Sequence, residues 1–393
     1  MNCWLSSKNS GKSNRIPIPT LSLSEMKELV SKRLEVIDAY IDTQGVPTFT
    51  ISNIHLSTVP KRIEERFKKL VFDCYKSNLM PLLRKEKDQL VLRIYSKPPV
   101  KRARTNINII LFFVTICTIF FAGYYLWGIN ELWSKILLPN ANPFVQAALF
   151  SACLFSIIGI HEMGHKLTCD NNRLESTMPY FIPGPPPFGT FGALISLKSP
   201  PINKNQLFDL GISGPISGFI ATVIVCFVAV YTSIMVPESQ VTELGDMVGP
   251  IAWPSSPLLF LLIFDVISAG FLQVPQGMTM ILGQVTFAAQ VGCLLTFLNT
   301  MPVWQLDGGH VAKSVLGPKG YRTASYIGLA VLMLSGYYFF AFIIIIFMMS
   351  RRRSSSGAEI LEDVSPLSLN RKRAYFVFLL ISALCFFMWI PIY

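Results

Sequence analysis

FVQAALFSACLFSIIGIHEMGHKL, residues Phe144–Leu167, is the stretch that decides the fold. As a helix rising 1.5 Å per residue, it is long enough to cross the ~30 Å hydrocarbon core of a bilayer. It also contains His161-Glu162-Met163-Gly164-His165. Residues four apart on a helix share a face, so both imidazoles can reach one metal ion. The carboxylate between them projects beside that face, where it can take a proton from water. Ionisable groups in an apolar span are costly and mark functional sites.

The composition of the whole chain agrees with a membrane reading. Of 393 residues, 51% are hydrophobic, and the mean hydropathy is +0.47. The net charge of +11 is unevenly placed. Residues 1–104 hold 20 Lys/Arg against 10 Asp/Glu, whereas residues 105–393 hold 14 against 13. The second part is far below the roughly 25% charged residues of a soluble domain. An ordinary soluble protein and a disordered chain are both excluded. The basic part ends directly against an apolar run, so it is expected to flank a membrane, and no nucleic-acid partner is expected. The eight cysteines are scattered without a C-x-x-C pair and read as small buried hydrophobes. Residues 1–20 contain no apolar signal core, so insertion is expected to rely on an internal segment.

The expected fold class is an α-helical polytopic membrane protein of about six spans with a small α/β cytosolic N-terminal domain. Residues 1–20 read as a flexible tail and residues 21–104 as the small basic domain and its linker. Residues 105–350 read as the membrane core, and 351–393 as a basic loop with a C-terminal transmembrane segment. Within the small domain, Ser22 or Ser24 caps a helix through about Leu34. Strands follow at Glu35–Asp42 and Val46–Ile51, and a hairpin at Met80–Arg84 and Gln89–Tyr95. Residues 59–77 have helical spacing, with Ile63, Phe67, Leu70, Val71 and Cys74 on one face.

Spans are expected at 107–128, 144–167, 206–236, 280–302, 323–349 and 374–393. The third begins with small residues at Gly211, Ser213, Gly214, Ser217 and Gly218, which permit close helix packing. Its Gln206 and Asp209 read as interfacial caps. The basic linker puts the N-terminal domain in the cytosol by the positive-inside rule. Span one then runs outward and span two inward, so the histidines lie near the cytosolic end. A partner ligand at that depth requires 280–302 to run inward too. Residues 237–279 must then start and finish outside. The apolar stretch 257–274, with Asp265, cannot be a full crossing on this reading. For 323–349, either one crossing or two short helices in a tight double pass fits.

A catalytic zinc site needs a third protein ligand and an open position. Asp170 and Glu175 lie past the apolar run and read as water-facing. The intramembrane carboxylates are Asp265 and Asp307. Pro302 and the Gly308–Gly309 pair should break the helix near Asp307. Broken helices at membrane depth line buried or wet cavities, which suits a ligand. His310 reads as a hydrogen-bonding histidine, because a fourth ligand would close the site.

His161-Glu162-x-x-His165 followed far downstream by Asn299-x-x-Pro302-x4-Asp307-Gly308 resembles the signature pair of the site-2 protease family of intramembrane metalloproteases. Pro179–Gly192 (PYFIPGPPPFGTFG), Gly211–Gly218 (GISGPISG) and Leu306–His310 (LDGGH) resemble its archaeal and plastid-type branch with a soluble N-terminal domain. The resemblance covers roughly residues 20–315. It implies one zinc ion held by His161, His165 and Asp307, Glu162 as general base, and Asn299, in its motif with Pro302, helping to position substrate. Trp304 departs from the pattern, standing where relatives tend to have a small residue.

Residues 191–198 alternate with period two, as a strand would. They read as a connecting hairpin or as an exposed edge, through Gly192, Ala193 and Ile195, that receives an extended substrate by β-augmentation. The expected function is an intramembrane zinc endopeptidase of the cell membrane, acting on transmembrane protein substrates within the lipid bilayer. A non-catalytic metal-binding receptor or transporter is the alternative. A transporter should show repeated halves, and none is visible.

Overall fold

The computed structural model describes residues 21–52, 60–86, 89–97, 105–129, 142–239, 256–270, 275–281, 283–303, 306–351 and 360–387. The expected tail, the linker beyond Lys97, His55, Trp304 and the arginines at 352–353 lie outside these residues. The chain divides into two compact units.

The first unit gathers residues 1–102, 197–209 and 350–372. Helix α1, Leu23–Ser31, opens on Ser22, whose side chain and Glu25 form a reciprocal capping box. Helix α2, Pro60–Lys76, buries Ile63, Phe67, Leu70, Val71 and Cys74 on one face, as its spacing required. Burying each large side chain contributes roughly 1.5–3 kcal/mol. Burial also pushes the Cys74 thiol up to about 12, so it packs as a hydrophobe. The strands are β1 Val36–Ile41, β2 Pro47–Ile51, β3 Leu79–Glu86 and β4 Gln89–Ser96. They form an antiparallel sheet in the order β1-β2-β4-β3. Leu361 and Glu362 lie along the β3 edge. The Leu83 amide donates to Leu361 O at 2.9 Å, and Leu83 bridges Glu362 in parallel. The Arg84 guanidinium donates to Ile360 O and Leu361 O. The far side of this strap donates to Pro201 O and Ile202 O. Leu361 is fully buried, and burial raises the Glu362 carboxyl above its ordinary value. Asp209 is no cap: its carboxylate receives two bonds from Arg371. Gln206 accepts from the Ile202 amide, and Asn203 caps the helix that follows by accepting from the Gln206 amide.

The second unit is built of apolar helices. Among the described residues, three are long and apolar enough to cross a membrane: α3 Thr105–Ile129, α4 Pro143–Asn171 and α5 Lys204–Tyr231. They fall on the first three expected spans. α3 exposes Ile109, Ile110, Phe113 and Phe121, a surface suited to lipid. A loop hairpin, β5 Tyr180–Pro183 with β6 Thr190–Leu194, follows α4. Asn108 of α3 donates to Met178 O and Pro179 O and ties this hairpin to the first span. Of the described cysteines, Cys117 is exposed and Cys153 half-buried, and the rest are buried.

Strands β7 Ile234–Pro237 and β8 Met278–Ile281 pair antiparallel, with Ile234 opposite Ile281. The segment between them therefore leaves and returns at one place. Its helix α6, Leu258–Gly270, has 13 residues and is about 20 Å long, too short to cross. This agrees with the expectation for 257–274. Helix α7, Gln284–Thr300, is buried around most of its surface and so runs through the centre of its unit. α8, Asp307–Leu334, is broken at Gly317, with φ +69, before Pro318. α9, Tyr338–Arg351, follows a turn at Ser335–Tyr337 in which Gly336 has φ +86. The stretch 323–349 is thus two helical pieces rather than one rod. α10, Leu369–Cys385, ends the described chain. α7, α9 and α10 have 17, 14 and 17 residues. The expected count of six spans is therefore not established; among the described residues, three helices meet the requirement of length and apolar composition together.

Candidate metal centre

His161 and His165 stand one turn apart on α4, and both are buried. Asp307 is the first residue of α8, after α7 has ended at Thr300. The chain turns between the two helices, with Val303 donating to Met301 O and Leu306 to Val303 O. A helix N-terminus favours an anion, so Asp307 sits where its charge is stabilised. The break places the carboxylate against the histidine pair. Asp307 Oδ2 lies 3.2 Å from His161 Nε2 and 3.2 Å from His165 Nε2, and the two nitrogens are 3.3 Å apart. These are the only three metal-ligating groups clustered this closely among the described residues.

Tetrahedral ligands at the Zn–N distance of ~2.05 Å stand about 3.3 Å from one another. The three atoms already have that spacing. The donor set of two imidazoles and one carboxylate is that of an open catalytic zinc site. His165 Nδ1 donates to Leu210 O at 2.9 Å. That bond fixes the tautomer, leaving Nε2 with its lone pair toward the cluster. Leu210 belongs to α5, and its residue type carries no sign of this role because the acceptor is backbone.

The small residues of α5 explain how the helices come this close. A Cβ on Gly214 would stand 2.1 Å from His165 Nε2, and one on Gly218 would stand 2.9 Å from His161 Nδ1. The segment GISGPISG therefore bears directly on the two imidazoles.

Beside the cluster is a cavity of about 310 Å³. His161, Glu162, Asn299, Gly192 and Ala193 line it, five of the nine residues singled out from sequence. Thr296 of α7 adds a hydroxyl that sequence reading missed. Ile195 lies beyond the end of β6 and does not line the cavity. Pro302 is also absent from its walls. Its carbonyl accepts from Ser325 Oγ, and its ring packs near Gly328, so it supports the turn into α8. His310 is buried one turn into α8 and is not one of the three clustered groups.

Residues 149–336 match the family model described as Peptidase family M50. Among curated proteins, the chain is 26% identical over 226 residues to "Probable zinc metalloprotease EGY2, chloroplastic" of Oryza sativa subsp. indica. That alignment covers 56% of this chain and 38% of the relative. It is 27% identical over 183 residues to the Arabidopsis thaliana protein of the same name, covering 46% and 30%. It is 29% identical over 200 residues to "Probable zinc metalloprotease EGY1, chloroplastic" of Oryza sativa subsp. japonica, covering 48% and 33%. The chain thus spans well under half the length of these relatives. No solved structure matches. The matched segment, just under half of the chain, carries both histidines and the aspartate, and through it the chain is similar to peptidase family M50, the site-2 protease family.

Proposed function

We propose that this protein is an intramembrane zinc endopeptidase that hydrolyses peptide bonds of membrane-spanning protein substrates. The observation that carries the reading is the convergence of His161, His165 and Asp307 at zinc-ligand spacing, next to a largely apolar cavity whose wall includes His161 and Glu162. The relatives' names, as zinc metalloproteases, support it.

His161, His165 and Asp307 would hold one zinc ion. When bound, zinc supplies a Lewis acid that polarises a carbonyl and lowers the pKa of water. Glu162 is buried at the cavity wall, next in sequence to His161. There it takes the proton of the attacking water and passes it to the leaving amine. A helical peptide hides its amides in hydrogen bonds, so the substrate must be extended at the cut. Gly192 and Ala193 lie on β6, whose one paired neighbour among the described strands is β5. The edge of β6 can hold an extended strand by backbone hydrogen bonds. Asn299, at the other side of the cavity, positions it. Burial of these groups among apolar side chains limits bulk water. The N-terminal domain lies in the cytosol, oriented by its basic linker.

The test is cleavage of a model single-span protein by wild type and Glu162→Gln, with zinc content measured on both. Glu162→Gln should keep zinc and lose roughly 10²–10⁴ in rate. Equal cleavage removes Glu162 from the chemistry. Bound zinc with no cleavage by wild type favours a metal-binding receptor or transporter instead.

A further inference from the structure

One wall of the cavity is supplied by no motif. Phe340, Ile343 and Ile344 of α9 line it, and α9 begins just past residue 336, where the family match ends. They stand at i, i+3 and i+4, on one helix face. All three are half-buried, whereas Tyr338, Phe339 and Phe342 on the other side are 62–65% exposed. α9 thus turns three large apolar groups to the cavity, while Tyr338, Phe339 and Phe342 face outward. His161, Glu162, Thr296 and Asn299 supply the polar part of the lining.

The volume limits what can enter. The cavity has about 310 Å³. A dry apolar cavity of about 150 Å³ holds one benzene ring. The space therefore suits one extended peptide unit with a single large side chain. The peptide unit belongs at the polar groups, which leaves the side chain against α9.

Resting on the endopeptidase reading above, we infer that Phe340, Ile343 and Ile344 form a specificity pocket for one large apolar side chain flanking the cut bond. The size of that side chain is set by α9. Enlarging a pocket by a few methylenes shifts discrimination by about 10–200-fold per methylene at most. Ile344→Ala and Phe340→Ala should therefore favour a bulkier residue by about tenfold or more. Ile343→Trp should exclude all but the smallest.

The test uses the zinc-loaded full chain in detergent and a set of short peptide hydroxamates carrying Ala, Leu, Phe or Trp. Binding is read by displacement of a fluorescent hydroxamate, with zinc content measured for each variant. Wild type should prefer Leu or Phe. Ile344→Ala and Phe340→Ala should gain affinity for the Trp probe relative to Leu, and Ile343→Trp should keep only the Ala probe. If Ile344→Ala fails to hold zinc, Ile344→Val decides, with a smaller shift of the same sign. An unchanged order across the variants overturns the inference, as does a failure of every probe to bind zinc-loaded wild type. A shifted order with no cleavage of any membrane substrate leaves the pocket standing and removes the endopeptidase reading.

Discussion

Gly214 is where the centre is least tolerant of added atoms. A methyl group there would overlap the ligand nitrogens of both histidines, at 2.1 Å from His165 Nε2 and 2.7 Å from His161 Nε2. Gly214→Ala is expected to cost at least tenfold in zinc affinity, by the scale of losses seen when ligand supports are disturbed. Gly159→Ala is the matched control on α4, since its nearest foreign atom would be 4.0 Å away. Zinc retention by Gly214→Ala would show that α5 can retreat. The residue scale was the most legible in sequence. Helical spacing is a local rule, so His161-Glu162-x-x-His165 could be read as a metal face without tertiary knowledge. Asp307 needed the helix break and the family resemblance to single it out from Asp265. The Leu210 carbonyl and Thr296 could not be found this way, because nothing local in their type or spacing signals a role.

At the scale of elements, the β6 edge carries a separate prediction. Ala193 lies on β6 and lines the cavity, and it opposes Phe181 of β5. Proline at 193 removes an amide donor from the strand. Ala193→Pro should lower cleavage of a membrane substrate while zinc content stays at the wild-type level. Full activity would count against strand addition as the mode of substrate binding. The α/β elements of the first unit were read from sequence to within a few residues, because capping, alternation and an amphipathic stripe all agree there. The apolar helices were harder. Hydropathy marks a greasy segment but not its ends or bends. The turn at Ser335–Tyr337 is written only by Ser335 and Gly336 within a largely apolar run, and sequence reading left single and double passage open.

For the whole molecule, the pairing of β7 with β8 constrains topology. Because the pairing brings Pro237 opposite Met278, the segment that contains α6 starts and finishes at one place. On the proposed topology, Asp265, exposed on α6, should be reachable from the extracytoplasmic side. An Asp265→Cys variant in a chain freed of other reactive thiols should label with an impermeant maleimide from the extracytoplasmic face. Labelling from the cytosolic face alone would reverse the assignment. The uneven charge predicts the orientation that this labelling tests.

The strap over the β3 edge bears on how the chain is made. Arg84 and Leu361 are separated by 277 positions, yet they share a hydrogen bond. A ribosome at roughly 5–20 residues per second needs from about 14 seconds to nearly a minute to synthesise that interval. During that time β3 has no outer neighbour, and the amide of Leu83 must find water or another strand. Long-range closures of this kind come late, after the loop entropy has been met. The N-terminal sheet therefore completes its edge only after residue 361 has been made. Closure of the first unit is in this way timed by synthesis of nearly the whole chain.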